Sequence, residues 1–253
     1  MNGSKPNNLH STHVPVVAAR FPPTLWSMVL KAGGERSAQS REALATLCNA
    51  YWYPLYVFLR RQGKSVHDAE DLTQGFFLHL FERNGLDKVR PAKGRFRSFL
   101  LASLKHFQAD DWEKSMAQKR GGGAGFVSFE IANAEERYRG ESLEYSDPEK
   151  LYERRWAITL LNRVLGRLEV EFASAGRKDR FDHLHIFLSG DRENLTYGEA
   201  AKRLGMTEGA VKIAVLRLRQ RYRELLLAEV ADTVASETDI DEEMRHLFAV
   251  LSA

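Results

Sequence analysis

Residues 197–223, YGEAAKRLGMTEGAVKIAVLRLRQRYR, constrain this chain more than any other stretch. They spell a short helix, a tight turn and a second helix that carries a row of arginines. Gly205 permits the positive φ that ends the first helix. Thr207 is a good N-cap for the second. Ala201 is small enough to let the two helices approach, and Val211 is placed to pack the second helix back on the first. The pattern is a helix-turn-helix, a unit whose second helix enters the DNA major groove.

Charge supports that direction through its distribution. The whole chain of 253 residues is near balance, at +3. Residues 192–223 hold eight basic and three acidic side chains, a local net of +5. Residues 224–253 hold eight acidic side chains and one arginine, a net of −7. A basic module followed by an acidic tail fits a nucleic-acid surface beside a segment that avoids it. The single cysteine, Cys48, excludes an internal disulfide and a multi-cysteine zinc site. No apolar run approaches the ~20 residues needed to span a bilayer. The first 20 residues lack the apolar core of a signal peptide. No membrane insertion and a cytoplasmic location are expected.

Helical periodicity dominates the rest, with no β-alternation and no repeat. Residues 1–22 are polar and proline-broken, an N-terminal extension. Short helices are expected over 25–31, 38–51 and 54–62, and longer ones over 66–83, capped by Ser65, and 95–119. GGGAG at 121–125 breaks the pattern, and 121–146 reads as a linker. Asp147-Pro148 restarts it as an N-cap followed by proline at the first helical position. That helix should run to about residue 173, with Gly176 as its stop. A helix over 179–188, the helix-turn-helix and an amphipathic segment over 240–251 complete the chain. The expected fold is all-α, with two helical domains at 23–120 and 147–233 and an acidic C-terminal extension at 234–253.

The segment 66–83 is amphipathic at about 100° per residue. Val66, Ala69, Leu72, Phe76, Phe77, Leu80 and Phe81 share one face. Asp68, Asp71, Gly75, His79 and Glu82 line the other, with Leu78 beside Asp71 and Gln74. Leu78 either meets a partner helix or is one of the single exposed leucines common on protein surfaces. Residues 95–120 interleave cations with Phe96, Phe99, His106, Phe107 and Trp112. Cations that track phosphates and rings that stack on bases are what single-strand capture requires. Phe99, Leu100 and Phe107 recur at core-like spacing, so Phe96, Arg97 and Ser98 at the helix entrance are the better base contacts.

These motifs together resemble a known family. DAEDLTQGFFLHLF, residues 68–81, resembles the helix by which bacterial sigma factors grip RNA polymerase core. GRFRSFLLASLKHFQADDWEKSMAQKR, residues 94–120, resembles the sigma segment that recognises and opens the −10 element. The helix-turn-helix resembles the domain that reads the −35 element. The layout is similar to the extracytoplasmic-function (ECF) group of the sigma-70 family, and the first domain to its region 2, the second to its region 4. The resemblance implies that Asp68, Asp71, Gln74 and Leu78 contact the largest polymerase subunits. It implies −10 contacts from Phe96, Arg97, Ser98, Lys105 and His106, and a structural part for Asp110. Gly75 departs from the larger, often acidic residue of the family, and Lys105-His106 from its frequent Arg-Asn pair.

On the second helix of the helix-turn-helix, Val211, Ala214, Val215, Leu218, Tyr222 and Leu225 form a core stripe. A recognition helix reads bases mainly from its N-terminal residues. The −35 candidates are therefore Thr207, Glu208, Lys212, Ile213, Leu216 and Arg217. Lys212 and Arg217 suit phosphate or guanine, and Glu208 suits cytosine. Ile213 and Leu216 either meet thymine methyls or are covered by the C-terminal helix, whose Leu247, Phe248 and Leu251 are placed to dock on the second domain and so to stabilise or mask the −35 candidates. The expected function is that of a sigma factor, with polymerase core and promoter DNA as partners. An anti-sigma protein, common in the ECF group, is a possible further partner. A helix-turn-helix regulator acting without polymerase is the alternative. No phosphate loop, metal-ligand spacing or nucleophile motif points to an enzyme or to a cofactor. His183 and His185 are a poor metal pair because residues two apart on a helix diverge.

Overall fold

Nine α-helices occur among the described residues, the longer ones built on apolar residues spaced three and four apart. The structure is a computed structural model that describes Trp26 and residues 38–82, 95–109, 134–139, 147–188 and 196–252. The first three helices are α1 (Ala38–Arg61), α2 (Val66–Glu82) and α3 (Phe96–Ala109). A short α4 (Ala134–Arg139) precedes the 27-residue α5 (Pro148–Ser174). Then come α6 (Lys178–Leu184), α7 (Tyr197–Leu204), α8 (Glu208–Ala231) and α9 (Ile240–Ser252). Among the described residues the only strand-like pairing is an isolated antiparallel bridge between Arg95 and Val234. The all-α expectation holds for this part of the chain.

Helix α1 departs from the sequence reading. Two helices are expected, separated before Pro54, but one runs through it. Proline inside a helix removes a hydrogen bond and costs about 3 kcal/mol. Burial outweighs that cost here. Tyr51, Leu55, Tyr56, Val57, Phe58 and Leu59 are all buried. A helix enclosed on every side has far more apolar surface to gain than one hydrogen bond to lose.

Helix α4 lies inside the stretch expected to be a linker. At six residues it is too short to show a period. Contacts with α1 define it instead. Glu135 accepts hydrogen bonds from the Tyr56 hydroxyl at 2.8 Å and from Arg60 Nε and Nη2, each at 3.0 Å. Arg137 lies over the Tyr53 ring, 3.8 Å from its centroid. The hydrogen bond from Arg60 holds the Glu135 carboxyl below its usual pKa despite some burial.

Helix α5 is the axle of the fold. Its start follows the sequence reading: the Asp147 side chain accepts from Glu149 N–H at 2.9 Å, with Pro148 behind it. Its stop is Gly176, at φ +67. Along its length α5 packs against α1, α6, α8 and α9. Tyr152, Trp156, Leu160, Val164 and Leu168 are the buried side chains of that stripe. Trp156 Nε1 donates to the Tyr51 hydroxyl at 2.8 Å, so the ring's one polar atom is satisfied inside the core. Buried residues from both sides of the 121–146 stretch belong to a single apolar cluster.

The end of the chain ties itself to that cluster. Between α8 and α9, the carbonyls of Asp232 and Thr233 accept hydrogen bonds from the backbone of Trp26 and Phe96, both at 3.0 Å. Helix α9 then packs on α5 and α8, with Leu247 fully buried.

Candidate nucleic-acid interface

The helix-turn-helix is built as its sequence dictates. Thr196 caps α7 in a reciprocal box: its hydroxyl accepts from Glu199 N–H at 3.2 Å, while the Glu199 carboxylate accepts from Thr196 N–H at 2.8 Å. The bonds that it accepts from the Thr196 N–H and hydroxyl hold the Glu199 carboxyl below its usual pKa. Gly205 ends α7 in the left-handed region, at φ 61 and ψ 33. Thr207 then caps α8, its hydroxyl accepting from Ala210 N–H at 3.2 Å. Ala200, Ala201, Val211, Val215 and Leu218 form the buried seam. Tyr197 stacks on Phe187 with centroids 4.7 Å apart, anchoring α7 to the turn after α6.

The outer face of α8 is open. Thr207, Glu208, Lys212, Ile213, Leu216 and Arg217 are all exposed. Ile213 and Leu216 are 53% and 66% exposed, among the largest apolar exposures in the described residues. Lys212 pairs with Glu208 at 2.7 Å, one turn back. The hydrogen bond to Glu208 raises the Lys212 pKa. Arg217 and Arg223 are exposed and pair with no carboxylate among the described residues. Other arginines of the row have structural duties. Arg219 donates to the Phe187 carbonyl, at 2.7 Å from Nη2, and Arg221 grips Glu171 at 2.8 and 2.9 Å.

The C-terminal helix does not cover this face, which corrects one of the two sequence-based alternatives. Its carboxylates go elsewhere. Glu242 pairs with Arg95, and Glu243 with both Arg95 and Arg97. Leu247 is buried and Leu251 is partly buried against the core, but Phe248 remains 54% exposed rather than docked.

Helix α3 presents a different picture. Phe96 and Arg97, expected at the −10 DNA, are buried. The Phe96 ring lies 4.9 Å from both Trp26 and Tyr51, centroid to centroid. Arg97 is 3% exposed and donates from Nε to Glu243 Oε1 at 2.7 Å and from Nη1 to Glu153. Its guanidinium lies 4.9 Å from the Trp156 ring centroid, and its carbonyl accepts from the Tyr152 hydroxyl at 2.9 Å. Glu153 also binds His246 of α9. Burial disfavours the Arg97 charge, but the hydrogen bond and field of Glu243 outweigh it and leave the pKa raised. An arginine so enclosed, with each guanidinium nitrogen bonded to a carboxylate, is out of reach of a phosphate.

Ser98, Lys105 and His106 are exposed on the other side of α3. Residues 98 and 105 are two turns apart and share a face. Lys105 pairs with Glu149 at the surface. The region around Asp110 lies outside the described residues, as does Trp112.

The buried role of Glu243 was hidden from sequence reasoning, which reads a carboxylate in an acidic helix as solvated. One signal was present: Glu243 lies in register with Leu247 and Val250, four and seven residues on, which places it on the apolar stripe of α9.

The proposed polymerase face of α2 is accessible. Ala69, Leu72, Phe76, Phe77 and Leu80 are buried. Asp68 and Gln74 are exposed, and Asp71 and Leu78 are half-buried on the opposite side. Asp68 is partly engaged in its own helix cap, where the Ser65 hydroxyl donates to it at 2.7 Å. Asp71 lies 3.6 Å from His67.

A cleft of about 220 Å³ lies between α1, α5 and the end of α8. Its two arginines, Arg163 and Arg167, both bind Glu229, at 2.7 and 2.9 Å. No group of three or more metal-ligating side chains occurs among the described residues. No described helix is long and apolar enough to cross a membrane. Comparison with protein-family models, curated proteins and solved structures finds no match for this chain.

Proposed function

We propose that this chain is an RNA polymerase sigma factor of the ECF type, which binds polymerase core and directs promoter recognition and strand opening. The observation that carries the reading is the pairing of two open faces on one chain. One is the cation-flanked outer face of α8 behind a capped helix-turn-helix. The other is the Asp71–Gln74–Leu78 side of α2, which the core leaves accessible. The resemblance of residues 68–81 to the sigma helix that grips polymerase core supports polymerase as the partner of the second face, and that of residues 94–120 to the −10 segment supports the same family. A DNA-binding regulator has no need of that face.

In this mechanism the chain does no bond chemistry. Helix α8 holds the −35 duplex, α2 holds the polymerase, and Ser98, Lys105 and His106 of α3 face the −10 strand. Phosphodiester formation belongs to the polymerase, and no cofactor takes part. Run-off transcription with cognate core polymerase on genomic fragments tests the proposal. Start sites that depend on this protein are expected; their absence, with the purified pair fully active in binding, would sink it.

One observation favours the alternative, a regulator that works without polymerase. Two of the five −10 candidates are enclosed, Phe96 against Trp26 and Tyr51, and Arg97 by α5 and α9. Size-exclusion chromatography with core polymerase separates the two readings. A regulator binds its operator alone and elutes apart from core; a sigma factor co-elutes.

A further inference from the structure

We infer that Ile213 and Leu216 read thymine methyl groups, making this protein selective for a thymine-bearing duplex at its helix-turn-helix site. The inference rests on the DNA reading of α8 and specifies what that helix recognises.

At about 100° per residue, Gly209, Ile213, Leu216 and Gln220 fall along the midline of the outer face of α8. That midline lies opposite the buried stripe of Val211, Val215, Leu218 and Leu225. Lys212 and Arg223 border it on one side and Arg217 on the other, all three exposed. An apolar centre between cationic margins matches the cross-section of a major groove. Phosphates lie on both rims, and base edges lie on the floor. Among those edges only thymine offers a methyl group to an apolar side chain.

Gly209 fits the same geometry. A Cβ there would meet nothing within 4 Å, so internal packing does not require glycine. Glycine in a helix is nevertheless less stable than alanine. Its presence leaves the backbone bare on the midline, one turn before Ile213, where a groove floor would approach closely. Ile213 and Leu216 are three residues apart, about 4.5 Å along the axis. That is close to the ~3.4 Å spacing of base pairs, so two methyls within one or two steps would be met together.

An acidic amphipathic helix from another protein is the competing occupant. The duplex is favoured because the cations border both sides of the apolar pair and the unit is a capped helix-turn-helix.

Replacing thymine by deoxyuracil removes the methyl and nothing else. Duplexes would be selected from a random library by the full chain, alone and with cognate core polymerase. The selected site would then be remade with deoxyuracil. Wild-type binding is expected to weaken about fourfold for each contacted methyl. The Ile213→Ala/Leu216→Ala variant should bind both probes equally, at the weakened level. Both side chains are exposed, so an unchanged thermal melt would show that the fold is kept. Equal wild-type affinity for the two probes overturns the inference while leaving the DNA reading standing. So does a variant that keeps full thymine preference, or one that keeps full affinity, which would assign the face to a protein partner. Failure to select any duplex, with or without core, removes the DNA reading and this inference with it.

Discussion

Helices α8 and α3 carry the two sets of residues expected at DNA, and they meet opposite fates. On α8 the arginine at 217 stands in solvent beside Ile213 and Leu216. On α3 the arginine at 97 is sealed between Glu243, Glu153 and the Trp156 ring. The two residues have the same chemistry, and each lies on an amphipathic helix, Arg97 in the first turn of α3 and Arg217 in the third turn of α8. What separates them is a carboxylate 146 positions away in sequence. A cation's availability to DNA is therefore a tertiary property. The acidic extension complements the positive charge at the entrance to α3 rather than that of the outer face of α8.

The largest expected effect tests the buried side of this contrast. Glu243→Ala leaves Arg97 enclosed without its main partner, and breaking a buried pair in this way costs about 3–5 kcal/mol. Urea unfolding should show that loss. A change below about 1 kcal/mol, the range of surface pairs, would mean that Arg97 is no more enclosed than Arg217.

Asp71→Arg places a cation on the accessible side of α2. Core polymerase affinity should fall at least tenfold, about 1.4 kcal/mol, with the thermal melt unchanged. Unaltered affinity in a binding titration would take Asp71 out of the polymerase face. Arg217→Ala should weaken duplex binding by about 1–3 kcal/mol and spare both stability and core association. If stability fell instead, the open face of α8 would be a packing surface.

The smallest effect concerns how α8 is positioned. Thr207→Ala removes the hydroxyl that accepts from Ala210 N–H, and should cost about 1 kcal/mol in thermal or chemical unfolding. Thr207→Ser should restore most of it. No rescue by serine would mean that the methyl, not the cap bond, is what matters at this position.

Much of the fold was legible because its signals are local. Ser65, Asp147 and Thr207 begin helices by accepting from backbone donors two or three residues ahead. Gly176 and Gly205 end helices by adopting a positive φ. Such rules act over one turn and need no partner. The continuation of α1 through Pro54 was not legible, because burial on all sides of that helix overrides the local penalty. Helix α4 was not legible either, since six residues carry no period and their stability comes from Tyr53, Tyr56 and Arg60 of α1.

The candidate faces divide along the same line. Periodicity alone separated Asp71, Gln74 and Leu78 from the apolar stripe of α2, and Ile213 and Leu216 from that of α8, because each of these two helices has one buried side. The sequence by itself determined the caps, the helix-turn-helix and those outward faces. Only the tertiary structure decided that Phe96 and Arg97 turn inward and that α9 leaves the α8 face uncovered. Both outcomes depend on where a distant helix docks. That choice follows from the buried ion pair of Glu243 with Arg97 and from Leu247 in the core; the local pattern of α9 marks both as inward-facing but does not encode their partners.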